Sequence, residues 1–158
     1  FLALKGYHLM ASALGDQNEV SWSQEAIVDF KEAFNQFFWD GQSYKSPNNM
    51  DKADDRVQAL AVVSGLAEVD KYDALYKVFL RHEFSSPYME KYVCEALFQM
   101  GQGEYALKRL KKRFKFMVES KEHTTLFEGW GTGRDGFGGG STNHAWSGGG
   151  LTLSLIHI

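Results

Sequence analysis

Residues 54–67 read DDRVQALAVVSGLA, and how this stretch packs decides the fold. Two carboxylates stand at its head, where the partial positive charge of a helix N-terminus favours them by about 0.3–1 kcal/mol. Behind them, from about Ala53 to Ala67, the segment is apolar on nearly every side, and a helix of that kind is buried all round. A helix enclosed on all sides needs other helices about it, and the rest of the chain supplies them.

Upstream, Leu2, Leu4, Tyr7, Met10 and Leu14 recur at roughly helical spacing until Gly15 stops them. Ser21 and Gln24 form a capping box, and the stripe behind it runs Ala26, Ile27, Phe30, Ala33, Phe34, Phe37, Phe38 before Asp40-Gly41 ends it. Downstream, Tyr72, Leu75, Tyr76, Phe79 and Leu80 make a one-faced stripe. Pro87 suits a first helical turn with Ser85 or Ser86 as cap, and Tyr88, Tyr92, Val93, Ala96 and Leu97 follow. Gly101 and Gly103 punctuate, then Leu107, Leu110, Phe114 and Met117 mark another helix. No segment reads as a strand, so the class is all-α.

The links between these helices alternate in length. Those near 68–70 and 101–102 span two or three residues and demand antiparallel neighbours. Those at 39–52, 81–86 and 120–143 are longer. Helices alternating inner and outer in a toroid would place every long link at one end. That end gathers Asn48, Asp51, Asp54, Asp55, Tyr88, Glu128, Trp130, Asn143 and His144. A solenoid of two-helix repeats is the alternative, but no sequence period recurs.

The whole sequence bounds the function. Its 158 residues suffice for one core. A net charge of −3 exerts no general pull on nucleic acid or anionic lipid. No run of about 18 apolar residues is present to span a membrane. The single cysteine, Cys94, forms no intramolecular disulfide and reads as a small buried hydrophobe. KRLKKRFK at 108–115 resembles a nucleic-acid patch, yet the apolar stripe on its other face predicts a solvated outer-helix surface.

Chemistry concentrates in TTLFEGWG, residues 124–131, and the glycine-rich stretch behind it, where ten of the sixteen glycines fall between Gly129 and Gly150. A tether would not carry Phe127, Trp130, Phe137, Trp146, Glu128 and His144, so this reads as a packed loop. It lacks the Lys-Ser/Thr ending and preceding strand of a phosphate loop. Glu128 between Phe127 and Trp130 would lose part of its hydration, a setting for a general acid or base, or else it structures the loop. Trp130 and Trp146 offer flat faces for sugar rings, and Asn143 and His144 offer hydrogen bonds to hydroxyls. His123, His144 and Glu128 are a poor metal set. The chemistry favours carbohydrate, with no metal and no cofactor.

TTLFEGW, a glycine-rich gap, STNHAWSGG and LTL, preceded by DDRVQALAVVSGLA and SSPYMEKYVCEALFQMG, resemble in that order the C-terminal part of the catalytic domain of α-L-rhamnosidases, family 78 of the glycoside hydrolases. The resemblance covers nearly the whole chain and is most specific over 124–150. It implies the C-terminal half of an (α/α)6 toroid over residues 1–153. It also implies an inverting hydrolase of terminal α-L-rhamnosyl residues, with two carboxyl groups about 6.5–9.5 Å apart. Glu128 matches the general base, with Phe127 where Trp is commoner, and His144 matches a sugar-contacting histidine. The general acid of the family lies ahead of residue 1, so these residues alone are expected to be inactive. Export, to the periplasm or beyond, is common among relatives that attack plant polysaccharide.

SLIHI, residues 154–158, departs from the family and is expected to be a non-native tail. Asp54 and Asp55 are expected to cap a helix, with sugar contact as the alternative, and Tyr88 either lines the site or packs. Another toroid glycosidase with a different sugar, or a glycan-binding toroid without catalysis, remain the alternative functions.

Overall fold

The computed structural model describes residues 1–48, 53–132, 140–150 and 153. Asp51, Phe137 and the tail 154–158 lie outside the described residues. Among the described residues six α-helices follow one another: α1 (Leu2–Leu14), α2 (Gln17–Phe38), α3 (Asp55–Ser64), α4 (Tyr72–Arg81), α5 (Pro87–Gln99) and α6 (Gly103–Val118). Short 3-10 turns at Val69–Lys71 and Ala145–Gly148 complete the order. Among the described residues there is no strand; Trp39 and Tyr44 form an isolated antiparallel bridge.

The helices pair as hairpins, α1 with α2, α3 with α4 and α5 with α6, while α3 also packs along α5. The tight turns of the first and third hairpins rest on Gly15 and Gly101, both at φ 73°, a conformation that costs glycine nothing sterically. At the opposite end the head of α3 meets the connection before α5, and that connection meets the one after α6: Phe84 N–H donates to Asp55 Oδ1 (3.1 Å) and Trp130 Nε1–H to Ser85 O (2.6 Å). The alternation of link lengths thus has the structural consequence expected of it.

The core lies between α3, α4, α5 and α6, with Ala59, Leu75, Phe79, Val93, Ala96 and Leu97 fully enclosed. Tyr44, in the first long link, joins it. Gln58 of α3 acts as a surrogate strand for this tyrosine, accepting from Tyr44 N–H (2.8 Å) and donating to Tyr44 O (2.9 Å).

Several local expectations are corrected. Ser21 is inside α2, which begins at Gln17 with Asp16 as its cap, the carboxylate accepting from Glu19 N–H (3.2 Å). Asp16 directly follows the left-handed Gly15, and aspartate caps as well as serine does. Helix α3 ends at Ser64 and not near Ala67, because Gly65 turns at φ 83°; Leu66 and Ala67 still enter the core, and α3 is not buried all round, since Val57 and Leu60 are exposed on its outer side. The apolar stripes of α1 and α2 are only partly covered: Met10, Leu14, Phe30 and Phe37 are exposed, while Phe34 and Phe38 reach the core. Ser86 is the cap of α5, accepting from Met89 N–H (3.3 Å), with Pro87 in the first turn.

Candidate functional site

Two limbs of chain, 125–128 and 141–147, lie side by side at the long-loop end. Glu128 N–H donates to Ser141 O (2.9 Å) and His144 N–H to Leu126 O (2.8 Å). Thr125 Oγ1 donates to Thr142 O, and buried Ser147 donates its hydroxyl to Phe127 O (2.7 Å). Phe127, 2% exposed, is the peg of this assembly, packed with Phe114 and Met117 of α6. An apolar residue between Leu126 and Glu128 therefore drives inward, and its neighbour Glu128 is left facing out.

Glu128 is exposed, so Phe127 and Trp130 do not strip its hydration as the sequence suggested. Ser141 N–H donates to its Oε2 (3.0 Å), and among the described residues Oε1 takes no hydrogen bond. One carboxylate oxygen is thereby fixed while the other can accept a proton from an approaching water. The backbone pairing sets His144 diagonally across from Glu128, a separation of roughly two residues of extended chain.

Of the predicted site residues, His144 and Trp146 come together, their rings meeting edge to face at 5.7 Å. Trp146 is 70% exposed and Tyr88 lies at 5.7 Å from it. Tyr88 in turn has its hydroxyl 3.2 Å from that of Tyr92. That hydrogen bond, then partial burial, pushes the Tyr92 phenol above its ordinary value. The exposed Trp146 indole and Tyr88 phenol, with the half-buried His144 imidazole and Tyr92 phenol, form an aromatic ledge beside the limb that carries Asn143, itself exposed. Trp130 is directed elsewhere. Its N–H bonds Ser85 O, its edge meets Phe114 at 5.0 Å, and the Arg113 guanidinium lies 4.2 Å from its ring centre. A groove of about 620 Å³ lies along α6, lined by Leu110, Phe114, Val118 and Leu126; neither Glu128 nor His144 borders it.

The sequence reading missed the charge cluster beneath this site. KRLKKRFK is not simply a solvated face: Arg109 is 1% exposed and the side chain of Arg113 7%. Arg109 Nε donates to Glu90 Oε1 (2.6 Å) and Nη2 to Asp55 Oδ2 (2.6 Å); Nη1 reaches Phe79 O and His82 O (both 3.1 Å). Arg113 Nη1 donates to Glu90 Oε2 and Ser85 Oγ (both 2.6 Å). Two carboxylates and two guanidiniums thus balance. Burial opposes the Arg109 charge, but the hydrogen bonds and charges of Glu90 and Asp55 outweigh it and raise its pKa above the usual arginine value. Burial holds Arg113 below that value, against the upward pull of Glu90 and with Arg109 as a like neighbour. Asp55 is accordingly an ion-pair partner and not a cap, while Asp54 caps α3 through Arg56 N–H (2.9 Å). A signal was present: Ala106, Arg109, Arg113 and Met117 share one helical face, opposite Lys108, Lys111, Lys112 and Lys115.

This helical scaffold can be set beside known structures. In fold, the chain is similar to a GH78 family rhamnosidase of Bacillus sp. GL1. The TM-score is 0.78 at 20% identity, over 98% of this chain and 18% of that chain. The GH78 fold contains an α/α toroid domain, and the hairpins described above are a portion of such a toroid. No protein-family model and no curated protein matches the chain. Among the described residues, no group of three His, Cys, Asp or Glu side chains could hold a metal ion, and no helix is long and apolar enough to cross a membrane.

Proposed function

We propose that this chain carries the general base of a glycosidase that inverts configuration while hydrolysing terminal α-L-rhamnosyl residues. The observation that carries the reading is the clamped Glu128 carboxylate, beside the His144 limb, on a scaffold similar to a GH78 family rhamnosidase.

In this reading the Ser141 N–H holds one oxygen of Glu128 still while the other removes a proton from water. The water attacks the anomeric carbon as the glycosidic oxygen leaves from the opposite face. A second carboxyl group, about 6.5–9.5 Å from the first, protonates the leaving oxygen. Asn143 and His144 orient the sugar hydroxyls, and the apolar face of the sugar rests on Trp146. Trp130 serves as the anchor of the loop and not as a sugar platform.

Because this chain spans 18% of the similar enzyme's chain, the test uses the full-length protein. Release of p-nitrophenol from a panel of p-nitrophenyl glycosides is compared for the protein and its Glu128→Gln variant. Selective cleavage of the α-L-rhamnoside, lost by about 10²–10⁴-fold in the variant, is expected. Equal cleavage by both would make Glu128 structural. Preference for another glycoside would retain the base and discard rhamnose, and no cleavage at all would favour a glycan-binding role.

A further inference from the structure

The four buried charges fasten more than the helices. Replacing a buried ion network by apolar groups of similar volume is often neutral or stabilising, so stability alone does not account for this one. Arg113 stands at its edge. On one side its guanidinium bonds Glu90 and the Ser85 hydroxyl; on another it grips the backbone at Ser85 O (2.8 Å) and Glu83 O (3.1 Å). Its flat face covers Trp130, whose N–H ends on the same Ser85 carbonyl. Trp130 follows Glu128 by two residues, with the buried Gly129 between them.

We propose that Arg113 is a positioning residue that acts through Trp130 to hold the Glu128 carboxylate in place, with Glu90 fixing Arg113. The inference rests on the reading of Glu128 as the working group. Arginine suits the task because one planar group meets carboxylate, carbonyls and an aromatic face together. Lysine retains the charge but neither the fork nor the flat face.

The test is hydrogen exchange on the full-length protein, read by mass spectrometry over peptides spanning 126–131 and 140–147. These contain the bonded amides of Glu128, Ser141 and His144. In Arg113→Lys they should exchange at least about tenfold faster, while peptides from α3 and α5 keep their protection. Trp130→Phe, which keeps the ring and loses the Ser85 bond, should loosen the same peptides and decides the matter if the lysine variant does not fold. Unchanged exchange in the two limbs, or equal loss in α3 and α5, overturns the proposal. Exchange is read without substrate, so it stands apart from the glycosidase assignment. A wild type that cleaves no glycoside refutes that assignment and leaves the loop result intact. Where hydrolysis is measurable, kcat should fall in Arg113→Lys with KM little changed.

Discussion

Arg109→Met isolates the consequence of leaving one buried carboxylate, Asp55, without its ion-pair partner, while Glu90 keeps Arg113. All three guanidinium nitrogens of Arg109 are bonded, to Glu90, to Asp55, to Ser85 Oγ (3.2 Å) and to the carbonyls of Phe79 and His82. Methionine is unbranched and flexible enough to occupy much of the same channel, so the change removes charge and donors more than packing. Removing one partner of a buried pair costs about 3–5 kcal/mol. Asp55, 0% exposed, loses its guanidinium and Glu90, also 0% exposed, loses one of its two, so the upper part of that range is expected. With a urea m-value of about 2 kcal/mol per molar, 4–5 kcal/mol lowers the unfolding midpoint by roughly 2–2.5 M. A urea titration followed by far-ultraviolet circular dichroism measures it. The control is Asp55→Asn/Arg109→Met, which removes the stranded charge, leaves Glu90 paired with Arg113, and should regain about half of the loss. A midpoint shift under about 0.5 M, or a double variant no more stable than the single one, would refute the reasoning.

Two further outcomes follow from packing. Gly149→Ala places a Cβ 2.7 Å from Cβ and 2.9 Å from Cγ of Lys91, so the 145–148 turn must move off α5 at a cost of about 1–3 kcal/mol; Gly148→Ala, with open space around it, is the neutral comparison in thermal melts. Equal melting of the two variants would contradict that account. Burial, and then the charge of Glu90, push the Cys94 thiol up to about 12. Unfolded cysteine ionises near 8.5, so its proton leaves the unfolded chain first, and the stability held below about pH 8.5 declines as pH rises from there towards 12. Iodoacetamide at about pH 8 should accordingly label Cys94 only after denaturation, and rapid labelling of the native protein would show the thiol to be accessible.

What the sequence by itself determined is what short-range physics controls. Period-3.6 stripes, Gly15 and Gly101 at the tight turns, and Ser86-Pro87 before α5 each act within a few residues, and the lengths of the links alone fixed which end of the bundle collects the loops. That the aromatic-bearing stretch around Glu128 packs as a loop was legible too, but not that Glu128 would face out with its hydration intact. The tertiary structure alone decided which charges are buried. Asp55 and Arg109 are 54 residues apart, and although the face shared by Ala106, Arg109, Arg113 and Met117 sets the arginines apart from the lysines, nothing local marks Asp55 as their partner and not a cap. The same holds for Trp130, which as a sequence letter suits a sugar platform and in the fold is taken by Arg113 and Ser85. A buried charge is tolerable only where a partner meets it, here from other helices, and periodicity along one helix carries no information about that partner.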